Sequence, residues 1–201
     1  MTAVGFRVKS GYAIAVVLDG SRRAPRAVAS RIVELSDPGV AETRQPYHDG
    51  FYKTEDDARE IARRVAIVKR CARKSVAALL GQIESEALRA RSGQASAGRP
   101  VTRAALVVGS LIDPATVANP HIRAHALEGR LFRTVLEESL AAHAVDCDVI
   151  VDKQLASQVA KELGRPASVA RTVVSFGKTL GGRWRAEEKA AATAAWLALR
   201  T

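Results

Sequence analysis

The sequence predicts an α/β fold: a mixed five-stranded sheet flanked by helices, with three antiparallel strands followed by two strands joined by helical crossovers. Three observations carry this prediction. The chain opens with three apolar runs separated by glycine-containing turns, which read as antiparallel strands. From Ala104 to Asp152 an apolar run, a long amphipathic segment and a second apolar run form a strand–helix–strand crossover, which sets two further strands parallel with a helix across them. The remainder is helical, punctuated by Gly164-Arg165-Pro166 and Gly181-Gly182. At 201 residues, the chain is expected to form one domain with a sizeable core.

Val4–Val8 and Tyr12–Asp19 form the predicted first hairpin, turning at Lys9-Ser10-Gly11. Asp19-Gly20-Ser21 is read as a second turn, followed by a basic loop with Arg22, Arg23 and Arg26. The alternating run Val28–Leu35 is then the third strand. Ser36–Lys53 reads as loop, because Asp37-Pro38-Gly39 turns the chain and Pro46 excludes helix; it carries Tyr47, His48 and Tyr52, which can line a site or cover the core. Thr54 is expected to open the next helix, with Glu55, Asp56 and Asp57 complementing the helix dipole. Its apolar stripe is Ile61, Val65, Val68, Ala72, Val76, Leu79 and Ile83. Arg63, Arg70, Arg73 and Lys74 lie opposite, with Arg64 and Lys69 at the margins, as a phosphate-contacting or simply solvated face. Arg91–Pro100 reads as a flexible loop. After the crossover, Lys153–Leu163, Ala167–Leu180 and Ala186–Leu199 are read as helices; the alanines of the last allow close packing, against the core or a second copy of the chain. Trp196 and Leu197 are candidates for either surface.

The crossover helix, Pro120–His143, carries the best candidate site. Asn119 suits the N-cap and Pro120 the first helical position. His121, His125 and Glu128 follow at i, i+4 and i+7, so they share one face with Ala124, Leu131, Phe132, Val135 and Leu136. Arg123, Arg130, Arg133 and Glu137 point away. Two imidazoles and a carboxylate are thus expected to look inward just after a buried strand, where open α/β sheets bind ligands. The trio can ligate iron, manganese or zinc, or act as an acid–base pair. Alternatively it packs at the core edge, bonded to the loop around Asp113–Ala118 or to Tyr47 and His48. HIRAH is not HExxH, so the metalloprotease pattern is absent. Gly129, inside this helix, is expected to mark close approach to the sheet. Asp113-Pro114 reads as a turn that can also line the site.

Lys and Arg number 31 against 21 Asp and Glu, a net charge of +10 that favours polyanionic partners, nucleic acid first. The competing reading is a compositional habit of GC-rich coding. Aromatics make up only 4%, too few for extended base-stacking platforms. Cys71 and Cys147 lie outside any Cys/His cluster and are read as free buried thiols. No apolar run is long enough to span a membrane, and the opening MTAVGFRVKSGYAIAVVLDG lacks a signal-peptide layout, so a cytoplasmic location without membrane association is expected.

The element order is that of the ribonuclease H-like fold, and within it the chain resembles the RuvC-type Holliday-junction resolvases. GFRVKSGYAIAVVL is similar to that family's first hairpin, where a Gly-x-Asp-Pro-Gly turn precedes a Gly-Tyr-Ala strand. LVVGS followed by Asn119-Pro120 and Glu128-Gly129-Arg130 is similar to its strand-to-helix segment, and EEKAAATAAW resembles its last helix. The resemblance implies a phosphodiester-cleaving centre in which carboxylates hold two divalent ions. Matched position by position, the first-strand Asp falls on Arg7 and the fourth-strand Glu on Ser110. The paired acids of the last helix reduce to Arg185 and Glu188, or to Glu187 and Glu188, which point about 100° apart. Asp113 and Asp152 follow strands without matching a family ligand.

The expected function is therefore nucleic-acid binding by a protein with a degenerate nuclease centre. Arg7, Lys9, Arg123, Arg130, Arg183, Arg185 and the basic helix after Thr54 would supply phosphate contacts. No metal ligand set is assigned: a divalent ion is disfavoured and the cofactor left unknown. One alternative is an enzyme rebuilt on His121, His125 and Glu128, with Asp113, Arg7 or His48 nearby, acting on a phosphoester or other anion. The other is a structural or partner module, including a homodimer through the alanine-rich helix.

Overall fold

The computed structural model describes residues 1–50, 53–91 and 100–199; Tyr52 and most of the predicted Arg91–Pro100 loop lie outside them. The sheet runs β3 (Ala24–Glu34), β2 (Tyr12–Ser21), β1 (Thr2–Lys9), β4 (Val101–Val108), β5 (Asp146–Val151). β1–β2 and β2–β3 pair antiparallel, whereas β1–β4 and β4–β5 pair parallel. This is the predicted α/β architecture, with the strand order and directions of the ribonuclease H-like fold.

β1 is central, and its side chains alternate between two cores. Val4, Phe6 and Val8 enter one, with Val68, Ala72, Val76 and Leu79 of α1 (Ala58–Arg91) and Leu131, Phe132, Val135 and Leu136 of α2 (Pro120–Ala141). Ala3 enters the other, with α3 (Leu155–Glu162), α4 (Pro166–Leu180) and the alanines of α5 (Ala186–Ala198). The two faces pack differently. A Cβ on Gly5 would collide with the Ala191 carbonyl oxygen and the Ala195 nitrogen, so α5 lies directly on the β1 backbone. Trp196 and Leu197 are buried. The alanine face is therefore spent on the sheet and offers no surface for the dimer considered from sequence.

Three local expectations are corrected. The basic loop around Arg22 is a tight hairpin, for β2 runs to Ser21 and β3 starts at Ala24. Pro25 is tolerated because β3 is an edge strand. Arg22 turns inward, donating from Nε to the Leu199 carbonyl and from Nη2 to Glu162. α1 starts at Ala58, not Thr54, since Thr54 bridges to His48 and Asp57 accepts from the Arg59 and Glu60 amides as N-cap. The close approach expected at Gly129 occurs at Gly5; a Cβ on Gly129 meets nothing within 4 Å. Among the described residues, no helix is long and apolar enough to cross a membrane.

Gly5→Ala is expected to destabilise the protein by about 1–3 kcal/mol or more, because the clash is with backbone that cannot rotate away. Gly129→Ala is expected to stabilise it by about 0.5–1 kcal/mol through helix propensity. Urea unfolding of the two variants checks both signs.

Candidate functional site

α2 begins as the sequence predicts, with the Asn119 side chain accepting from the Ile122 amide and Pro120 at the helix start. Its first turns carry His121, His125 and Glu128, but the three are not equally inward. The Glu128 side chain is 1% exposed and that of His125 48%, while His121 is half-buried.

The fourth member comes from the loop before α1. Tyr47 and Glu55 pair through backbone, His48 bridges Thr54, and the Asp49 amide donates to the Lys53 carbonyl, so the segment folds back on itself. His48 is driven into the core edge, where Nδ1 meets Glu128 Oε1 at 2.7 Å. Glu128 Oε2 stands 3.5 Å from His125 Nδ1. His125 Nε2 lies 3.3 Å from His121 Nε2. The three rings pack mutually, with centroids 4.5–5.0 Å apart. Three of the chain's four histidines thus converge, each offering a ring nitrogen within 4.8 Å of the others.

Burial decides the electrostatics. Removal from water pushes the Glu128 carboxyl up to about 7, against the lowering pull of His125 and of the Tyr47 backbone. The same cause lowers His48. Both shifts disfavour the charged form, as desolvation must. With the carboxylate ionised, His48 donates from Nδ1 and its lone pair sits on Nε2, which is buried and makes no hydrogen bond.

Arg64 holds this loop in place. It was expected at the margin of a basic face, yet it is only 5% exposed. Its Nη1 donates to the His48 carbonyl at 2.8 Å, Nη2 to Glu55 at 2.7 Å and Nε to Glu60 at 2.8 Å.

Beside the histidines, at the carboxyl ends of β1 and β4, is a cavity of about 280 Å³ lined by Arg7, Lys9, Gly109, Ser110, His125 and Gly129 among others. Arg7 pairs with Asp152 at 2.8 Å and Lys9 approaches Glu187 at 4.0 Å. Glu188 is buried and accepts from the Arg185 amide at the start of α5. A guanidinium cannot ligate a cation, so Arg7 does not fit the two-cation centre that the resemblance implies; of the nearby acids, Asp152 faces Arg7, Glu187 approaches Lys9 and Glu188 holds the start of α5.

The remaining candidates lie apart from the imidazoles. Asp113 caps a short turn through the Ala115 amide and stands 3.8 Å from Arg130. Arg123 bonds the Val117 carbonyl at 2.8 Å and closes the loop ahead of α2. Arg183 is exposed, 3.8 Å from Glu188. Cys71 and Cys147 are free and half-buried, with burial pushing the Cys147 thiol up to about 12.

No protein-family model matches the chain, and no curated protein matches it. Among solved structures it is similar to Thermus thermophilus RuvC at 12% identity, over 98% of this chain and 92% of that one, with a TM-score of 0.48. It is similar also to T. thermophilus RuvC in complex with a Holliday junction substrate, at 12% identity over 98% and 91% of the two chains, with a TM-score of 0.49.

The Arg64 cluster gives two expected outcomes. Breaking a fully buried ion pair costs about 3–5 kcal/mol, and Glu55 and Glu60 keep some water, so Arg64→Met should cost about 2 kcal/mol or more and broaden the His48 ring resonances in NMR. Hydrogen bonds from Arg63 and then Arg64 hold Glu60 down from its ordinary 4.5 to about 2. Its stabilising contribution is full above the unfolded value and is lost as pH falls toward 2. Glu60→Gln should flatten the acid limb of a stability–pH profile over that window.

Proposed function

We propose that this chain binds nucleic acid through its phosphate backbone, using a ribonuclease H-like fold whose nuclease centre has degenerated. The observation that carries this reading is Arg7. It sits at the carboxyl end of the central strand, ion-paired with Asp152, where a two-cation nuclease requires a carboxylate. With Lys9 and the exposed Ser110 it lines a cavity suited to an anionic oxygen rather than to a cation.

Charge placement supports the same reading. On α1, Arg63 and Arg64 are taken up by Glu55 and Glu60. Lys69, Arg70, Arg73 and Lys74, two turns further on, are exposed and belong to no ion pair among the described residues. Such a face contacts phosphates without reading bases.

A second reading has a specific observation in its favour. His125 lines the cavity that holds Arg7 and Lys9, and it is linked through Glu128 to His48. An enzyme rebuilt on these groups would act on a phosphoester or another anionic substrate, with the cations holding the anion and an imidazole moving the proton.

Binding of single-stranded, double-stranded and branched DNA and RNA across a salt series separates the readings. Two phosphate contacts already give about a tenfold loss of affinity between about 50 and 200 mM salt. Replacing Lys69, Arg70, Arg73 and Lys74 together by Ala should flatten that slope, and no strand cleavage should appear with Mg²⁺. Weak, salt-insensitive binding rejects the nucleic-acid reading, and Mg²⁺-dependent cleavage rejects the degenerate centre.

A further inference from the structure

We propose that His48, His121 and His125 form a binding site for one divalent transition-metal ion of the zinc and cobalt class, with Glu128 as the carboxylate that orients His48. The inference does not depend on nucleic-acid binding.

The ligand geometry is close to that of a three-histidine site. Zinc–nitrogen bonds are about 2.0–2.1 Å, so two ligands on a tetrahedral ion lie about 3.3–3.4 Å apart. His121 Nε2 and His125 Nε2 are 3.3 Å apart, and all three rings place a nitrogen within 4.8 Å of the others. Without an ion, the contact between the two Nε2 atoms needs a proton on one of them. A cation takes the place of that proton and draws on both lone pairs.

Orientation of the rings is the second observation. Metal-bound histidines use their far nitrogen to donate to a carboxylate, which fixes the tautomer and the ring plane. Glu128 serves His48 in this way, its Oε1 accepting from Nδ1 at 2.7 Å, while Oε2 faces His125 Nδ1 at 3.5 Å without a hydrogen bond. A proton on His48 Nδ1 leaves its lone pair on Nε2. His48 Nε2 is then a buried lone pair with no hydrogen bond, on a residue 6% exposed. In a core packed for stability alone, such an atom is a cost; as a ligand it is satisfied.

Donor chemistry selects the ion. Three neutral nitrogens suit zinc, cobalt, nickel or copper and not magnesium or calcium, which require oxygen. Three protein ligands leave a fourth position for water or an anion, the arrangement of open rather than structural zinc sites. His125 also lines the cavity with Arg7 and Lys9, so an anionic co-ligand has cations nearby.

The test is titration of metal-free protein with Zn²⁺ alone by calorimetry, and with Co²⁺ alone by visible absorption. The expected result is saturation at one ion per chain, with intense tetrahedral-type Co²⁺ bands that Zn²⁺ bleaches and excess Mg²⁺ does not. His121→Ala and His48→Ala should weaken Zn²⁺ binding at least about 100-fold, and Glu128→Gln about 10–100-fold. His143→Ala, on the exposed end of the crossover, should leave it unchanged. His121 is only half-buried, so its variant decides the matter even if His48→Ala fails to fold. Absence of saturable one-to-one binding overturns the site, as does equal binding by wild type and His121→Ala.

Discussion

The buried Glu128 carboxylate is the constraint to which the neighbouring elements answer. A carboxylate with a 1% exposed side chain costs several kcal/mol unless it is neutralised or bonded. His48 meets that need, but it lies eighty residues away in sequence, on a loop without regular structure. The loop must therefore be fixed, and Arg64 fixes it through the His48 carbonyl. Arg64 is itself buried and needs Glu55 and Glu60. Each link settles a polar group that the previous one created, and the series ties α2, the loop and the first turns of α1 into one unit.

Much of the fold was legible because it follows from periodicity. The crossover was readable from a capped amphipathic helix between two apolar runs, and the first hairpin from its glycine turn. Gly5 shows what periodicity misses: its role is set by the backbone of α5, which meets it across the sheet. Gly129 interrupts a helix, yet no neighbouring backbone approaches it. The start of α1 is ambiguous in sequence because acids from Glu55 to Asp57 suit a first helical turn and an N-cap equally well.

The site was half legible. Helical spacing put His121, His125 and Glu128 on one face, yet spacing cannot rank burial along that face, and His125 opens outward where Glu128 does not. His48 was identified only as a neighbour, since no local rule says where an eighteen-residue loop returns. Arg64 had a usable signal. It lies three residues after Ile61 and four before Val68, inside the apolar stripe, and a charged residue there must find buried partners.

A metal site of three imidazoles, as proposed for His48, His121 and His125, would differ from a carboxylate centre in more than the identity of its ion. Carboxylate ligands offset the charge of a hard dication, so a centre built from them can stay near neutral. Three neutral imidazoles would leave a bound dication its full charge, offset only in part by the single carboxylate of Glu128 beside them. Asp152 and Glu187 compensate Arg7 and Lys9 one for one, leaving none of their charge for a metal. A bound dication would therefore leave the region with a net positive charge that only an anion can balance. With an ion bound as proposed, the histidine cluster and the Arg7 and Lys9 donors of the adjoining cavity would favour the same kind of ligand, one whose anionic group fits beside His125.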